Sequence, residues 1–124
     1  MKAFSLPKSQ RISGKTAVSA VLSKGRGGVC GCLRYKVLAR EGEEPSRILV
    51  SVPKKLFKRA VKRNLLKRRI REAYRLQKGL IGPGLDMLFV YVSHEVLPFA
   101  DIFASMTEVL EEISRQARNS RTDE

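Results

Sequence analysis

One stretch restricts what this chain can fold into more than any other: the 25 residues from Lys54 to Lys78, KKLFKRAVKRNLLKRRIREAYRLQK. Twelve are Lys or Arg and only Glu72 is acidic, so the segment carries +11 of a formal net charge of +13. Apolar residues recur through it, which sets it apart from a disordered basic tail. A helix advances 100° per residue, and on that wheel Leu66, Ile70 and Ala73 fall within about 60° of one another. They predict a buried stripe. Asn64, Lys67, Arg68, Arg71 and Arg75 occupy an opposing arc of roughly 100°. Arg63 sits beside the core stripe, and Lys62 and Arg69 flank its other edge. The helix is predicted from about Arg59 to Gln77.

An ordinary solvated helix face mixes signs and pairs them at i, i+4. Here the repulsion is uncompensated, which disfavours the helix and the compact state until a polyanion binds. Nucleic acid is the first candidate. Arg offers forked hydrogen bonding to phosphate oxygens, and phosphate contacts position a nucleic acid without reading its sequence. Asn64, the neutral member of the arc, suits a base edge, a 2′-hydroxyl or a local backbone partner. Lys54 and Lys55, after Pro53, extend the positive surface toward the helix N-terminus. The helix dipole prefers anions there, and a bound phosphate would reverse the penalty. A membrane surface ranks far lower. No segment pairs a long basic face with Trp or Phe anchors, and no apolar run approaches the ~20 residues of a span. The N-terminal MKAFSLPKSQRISGK lacks the apolar centre of a signal peptide, so a cytoplasmic protein is expected.

With 124 residues, 43% of them hydrophobic, one domain is expected, burying roughly two-thirds of its unfolded surface. It is placed at residues 1–118, with 119–124 as a frayed tail. Ser13 is read as the cap of a helix reaching about Lys24, with Val18, Val21 and Leu22 as its apolar stripe. Gly25, Gly27, Gly28 and Gly31 then predict a break. Leu33–Ala39 and Arg47–Val52 read as strands, joined by a polar hairpin-type connection over Glu41–Ser46. Leu85–Val92 is nearly continuously apolar, as in a strand covered on both faces. A last helix is predicted from Pro98 to about Ala117. The order predicts an α+β sandwich, with three helices packed on a central sheet of three to four strands.

A self-sufficient active site is not expected. His94 is the only imidazole, and Cys30 and Cys32 are the only cysteines, read as two reduced thiols and too few ligands for zinc. Asp86 and Glu95 stand at the ends of the apolar strand, not as the clustered carboxylates of a two-metal nuclease. Neither a catalytic residue nor a metal site is expected in the protein. A DNA-binding helix would predict a dimer, and no dimerisation face is visible, so DNA is not the expected partner. A ribosomal protein or RNA chaperone would share the charge alone.

The run from Ser51 to Arg75, SVPKKLFKRAVKRNLLKRRIREAYR, closely resembles the signature of the protein subunit family of bacterial ribonuclease P. The matching positions are Lys54-Lys55, Ala60-Val61, Arg63-Asn64, Lys67-Arg68 and Arg71-Glu72. Weaker similarity, beginning at Lys8 and Arg11-Ile12, extends over most of the chain. The resemblance implies an α/β sandwich whose basic helix lies in a left-handed βαβ crossover, a rare hand. It implies one protein bound to one large catalytic RNA, the pair removing the 5′ leader of precursor tRNA. The RNA and its bound Mg²⁺ would carry the hydrolysis. The implied RNA-binding set is Lys54, Lys55, Arg59, Lys62, Arg63, Asn64, Lys67, Arg68, Arg71 and Arg75. Family members contact the leader with aromatic residues of the first helix and central sheet. The matching helix positions here are Val18 and Leu22, apolar but unable to stack on bases, while Tyr35 offers a stacking ring. Two departures stand out. Leu65 follows Arg63-Asn64 where the family often has Arg, and the segment Leu56–Arg59 is one residue longer. Arg59 and Lys62 are the candidates to replace the missing cation.

Overall fold

The computed structural model describes residue 12, residues 15–40 and residues 45–122, with side chains at residue 12, residues 16–40 and residues 45–116. Its elements are α1 (Lys15–Lys24), β1 (Arg26–Cys30), β2 (Leu33–Ala39), β3 (Arg47–Ser51), α2 (Ala60–Gln77), a 3-10 turn (Lys78–Leu80), β4 (Leu85–Tyr91) and α3 (Phe99–Thr122). The strands form one sheet in the order β1-β2-β4-β3. β4 runs antiparallel to β2 and parallel to β3. The crossover between the two parallel strands contains α2.

The apolar run of β4 explains its interior position. Met87, Phe89 and Tyr91 face one way, in register with Val37, Tyr35 and Leu33 of β2. They meet Leu66, Ile70, Ala73 and Tyr74 of α2 and Ile102, Met106, Leu110 and Ile113 of α3 in the main core. The Tyr74 and Phe89 rings lie 6.0 Å apart. Leu88 faces the other way and packs with Val21 of α1 and with Ile12, while Leu38, Leu49 and Val90 are partly buried beside them. Each large apolar side chain so buried contributes about 1.5–3 kcal/mol. A strand covered on both faces, as its composition predicts, is what the fold contains.

The glycine-rich stretch is a strand rather than a break. β1 pairs with β2 from Arg26–Val37 to Cys30–Leu33. Glycine is a poor strand former, yet in strands it marks sites of close approach. A Cβ on Gly28 would stand 2.9 Å from the Tyr35 hydroxyl, so the bare backbone makes room for that ring. Gly31 turns the hairpin at a φ of 57°, a left-handed conformation that glycine adopts without steric cost.

The connection before β3 is not a hairpin, because β2 and β3 flank β4 rather than each other. Glu41–Glu44 and Ser13 lie outside the described residues. Ser46 ties the incoming chain to the start of β4, its hydroxyl donating to the Gly82 carbonyl at 2.8 Å and accepting the Leu85 N–H at 3.1 Å. Asp86, 3% exposed, receives Arg47 through two bonds of 2.8 and 2.6 Å and lies 2.8 Å from Arg40 Nε. α3 continues to Thr122, beyond the expected end near residue 117.

Candidate nucleic-acid interface

α2 carries the helical phase its sequence predicts. Leu66, Ile70 and Ala73 are fully buried, and Tyr74 and Gln77 join them. Gln77 is held at α3, its amide donating to the Phe103 carbonyl at 3.2 Å and accepting the Thr107 hydroxyl at 2.5 Å. On the outer side Asn64, Arg68 and Arg71 are exposed, while Lys67 is half-buried at one edge of the arc and Arg75 is half-buried within it. Arg59 and Lys62 are exposed at the start of the helix, and Lys54 and Lys55 on the turn before it. The first turn of α2 has no acidic residue, and Arg59 at the N-cap makes no side-chain capping bond. A dense cationic surface therefore surrounds the positive end of a helix dipole, an arrangement suited to phosphate.

The expected RNA-binding set divides by partner. Arg75 forms a salt bridge with Glu72. Arg63 donates to the carbonyls of Phe57 and Lys58, both at 2.8 Å. Arg69, outside that set, donates to the Leu97 carbonyl at 2.6 Å. Composition reports the charge of these side chains but not the distant carbonyls that receive them.

Of the expected leader contacts, Val18 packs against the small cluster between α1 and the sheet, and Leu22 is 48% exposed. Tyr35 departs from expectation. It is 2% exposed and belongs to the main core on the face away from α1, so its ring is packed inside rather than presented at the surface. Burial pushes its phenol above the ordinary range. The α1 side of β2 instead presents Arg34, exposed between Val29 of β1 and Val90 of β4. The period-2 alternation of Leu33-Arg34-Tyr35 was the available signal, since it sets Arg34 opposite two apolar residues.

Cys32 is buried, and its N–H donates to Ser105 Oγ at 3.2 Å, with the thiol 3.3 Å from the same oxygen. Burial raises both thiols above their usual range, and His94 is exposed. Among the described residues, no group of three or more His, Cys, Asp or Glu could hold a metal ion. Nor is any helix among them long and apolar enough to cross a membrane.

The family model for Ribonuclease P matches residues 6–114. The chain belongs to the ribonuclease P protein family. A ribonuclease P protein component of Porphyromonas gingivalis is 38% identical over 126 aligned positions, spanning 94% of this chain and 92% of the relative. That of Chlorobaculum tepidum is 35% identical, over 89% and 74% respectively. The solved ribonuclease P protein of Staphylococcus aureus superposes with a TM-score of 0.74 at 25% identity, covering 86% of this chain and 96% of that one. The Thermotoga maritima protein shares the fold with a TM-score of 0.73 at 20% identity, covering 82% and 96%. As a ribonuclease P protein component, the chain is a subunit of a ribonucleoprotein of tRNA processing, and its partner is an RNA.

Proposed function

We propose that this protein binds the catalytic RNA of ribonuclease P through α2 and the turn before it, and assists removal of the 5′ leader from precursor tRNA. The observation that carries this reading is the exposed cationic surface of Lys54, Lys55, Arg59, Lys62, Arg68 and Arg71, with Asn64 among them. Lys67, half-buried, adds its charge at the edge. Such a surface neutralises phosphates along an RNA backbone, and Asn64 supplies the neutral group for a base edge or a 2′-hydroxyl. The leader runs along the opposite side of the sheet, where Val18 and Leu22 of α1 and Arg34 of β2 offer apolar and cationic contact. Hydrolysis belongs to the RNA and to Mg²⁺ held by it. Among the described residues, no group of three or more His, Cys, Asp or Glu competes with the RNA for that ion. The site of action is the bacterial cytoplasm, with one protein per RNA.

The test is cleavage of a precursor tRNA by the cognate ribonuclease P RNA at low Mg²⁺, with and without the protein. Faster release of the leader in its presence is expected. Binding to the RNA without any stimulation would favour a simple RNA-binding or chaperone role instead.

A further inference from the structure

The turn joining β3 to α2 exposes four cations within six residues: Lys54, Lys55, Lys58 and Arg59. Their mutual repulsion works against any single turn conformation. Two side chains oppose it. Phe57, 7% exposed, anchors the middle of the turn against Tyr91, with ring centroids 6.0 Å apart. Arg63, one turn into α2, sends Nη1 back to the carbonyls of Phe57 and Lys58 at 2.8 Å each. Those carbonyls lie ahead of the helix and outside the sheet ladder, so the guanidinium supplies a donor that regular structure does not. The main chain closes the same turn with bonds from the Leu56 and Phe57 N–H groups to the Pro53 carbonyl, at 3.1 and 3.4 Å.

We infer that Arg63 is a positioning residue: it acts on RNA through the turn, fixing Lys54, Lys55, Lys58 and Arg59 as a preorganised phosphate-binding patch, rather than through a phosphate contact of its own. The inference rests on the RNA-binding reading above. Its physical content is the ordering cost of binding. A turn already held in one shape loses less conformational freedom when phosphates dock on it. Arg63 stands beside the buried stripe of α2 and not in its outer arc, the side from which a guanidinium reaches the turn. Arg69, across the core stripe, makes the corresponding bond to the connection before α3.

A double-mutant cycle separates the two roles. Affinity for the cognate ribonuclease P RNA is measured for the full chain, for Arg63→Met, for a variant with all four turn cations changed to Gln, and for the combination. Arg63→Met is expected to weaken binding about ten-fold in the native turn, yet by less than about two-fold once the turn cations are gone. An equal loss in both backgrounds would mark Arg63 as an independent phosphate ligand and overturn the inference. Amide hydrogen exchange on the free protein gives a second readout. Exchange at Leu56 and Phe57 should quicken at least about ten-fold in Arg63→Met, and unchanged exchange also overturns the inference. Arg63→Lys serves if the Met variant loses its fold. It keeps the charge but not the reach, so faster exchange with weaker binding is expected, and native affinity would sink the idea. If the unmutated chain fails to bind the RNA at all, the RNA reading fails, while exchange on the free protein still decides whether Arg63 holds the turn.

Discussion

The ring of Phe57 lies against that of Tyr91, 6.0 Å between centroids and tilted by 48°. The same tyrosine donates its hydroxyl to the Glu95 carbonyl at 2.5 Å and accepts the Leu97 N–H at 3.1 Å. One side chain at the end of β4 thus anchors both the turn that leads into the basic helix and the connection from β4 to α3. Tyr91→Phe keeps the ring contact and strips the hydroxyl, leaving the Leu97 N–H without that acceptor. A loss of about 1–3 kcal/mol in urea unfolding of the free chain is expected.

Arg68→Ala and Arg71→Ala should weaken binding to the ribonuclease P RNA and leave the fold intact, because both side chains are exposed on the outer arc. If about six phosphates are neutralised, log K of the unmutated protein falls against log salt with a slope of roughly −4 to −5, and each substitution flattens it by somewhat under one unit. Filter binding across a salt series reads the slope, and circular dichroism reads the fold. Unfolding of either variant would mean that the helix presents a different face.

Alkaline pH should expose the burial of Tyr74. Its phenol is pushed from 10.0 to about 12 by desolvation. The folded chain therefore holds that proton where the unfolded chain has lost it. The contribution is intact below pH 10 and is lost as pH climbs toward about 12, at about 1.4 kcal/mol per pH unit. Tyr74→Phe removes this part of the slope in denaturation measured between those limits. Tyr35 and Tyr91 are also raised by burial, so a residual slope remains.

Gly31→Ala is expected to destabilise the β1-β2 hairpin. The φ of 57° disfavours a side chain, and the new Cβ would stand 2.3 Å from Ser105 Oγ. Ser105 cannot simply rotate away, since it accepts the Cys32 N–H. A loss of at least about 1 kcal/mol is expected, read as a lowered Tm. Gly79→Ala, with open space around its Cβ position, is the control and should change little.

The phase of α2 and the two-sided burial of β4 were legible because each is a local periodicity imposed by one helix or one strand. β1 was not, because Gly27 and Gly28 carry no strand propensity, and what crowds them, the Tyr35 carbonyl at Gly27 and the Tyr35 ring at Gly28, comes from another strand. Strand order escaped for the same kind of reason. β2 and β3 look like neighbours along the chain, and only the apolar demand of β4 draws it between them. At the candidate interface the positions of the cations could be computed from the helical wheel. The pairing of Arg75 with Glu72 is a local i,i+3 contact within that wheel, whereas what Arg63 and Arg69 hold could not be computed, because their acceptors are carbonyls of the connections outside the helix. Tyr35 shows how a residue type can mislead: an aromatic ring on a strand suits both stacking and burial, and alternation with Arg34 decides for burial.

β4 is the last strand to leave the ribosome, yet its place is between two strands made earlier. When synthesis has passed α2, the stripe of Leu66, Ile70 and Ala73 has no finished sheet to enter, and the repelling cations beside it sit on a helix that nothing holds. At roughly 5–20 residues per second this interval lasts on the order of a second. Closure then requires a non-local insertion, the slow kind of folding event. The cationic surface thus acquires its final shape late, when residues 85–91 slot between partners already waiting.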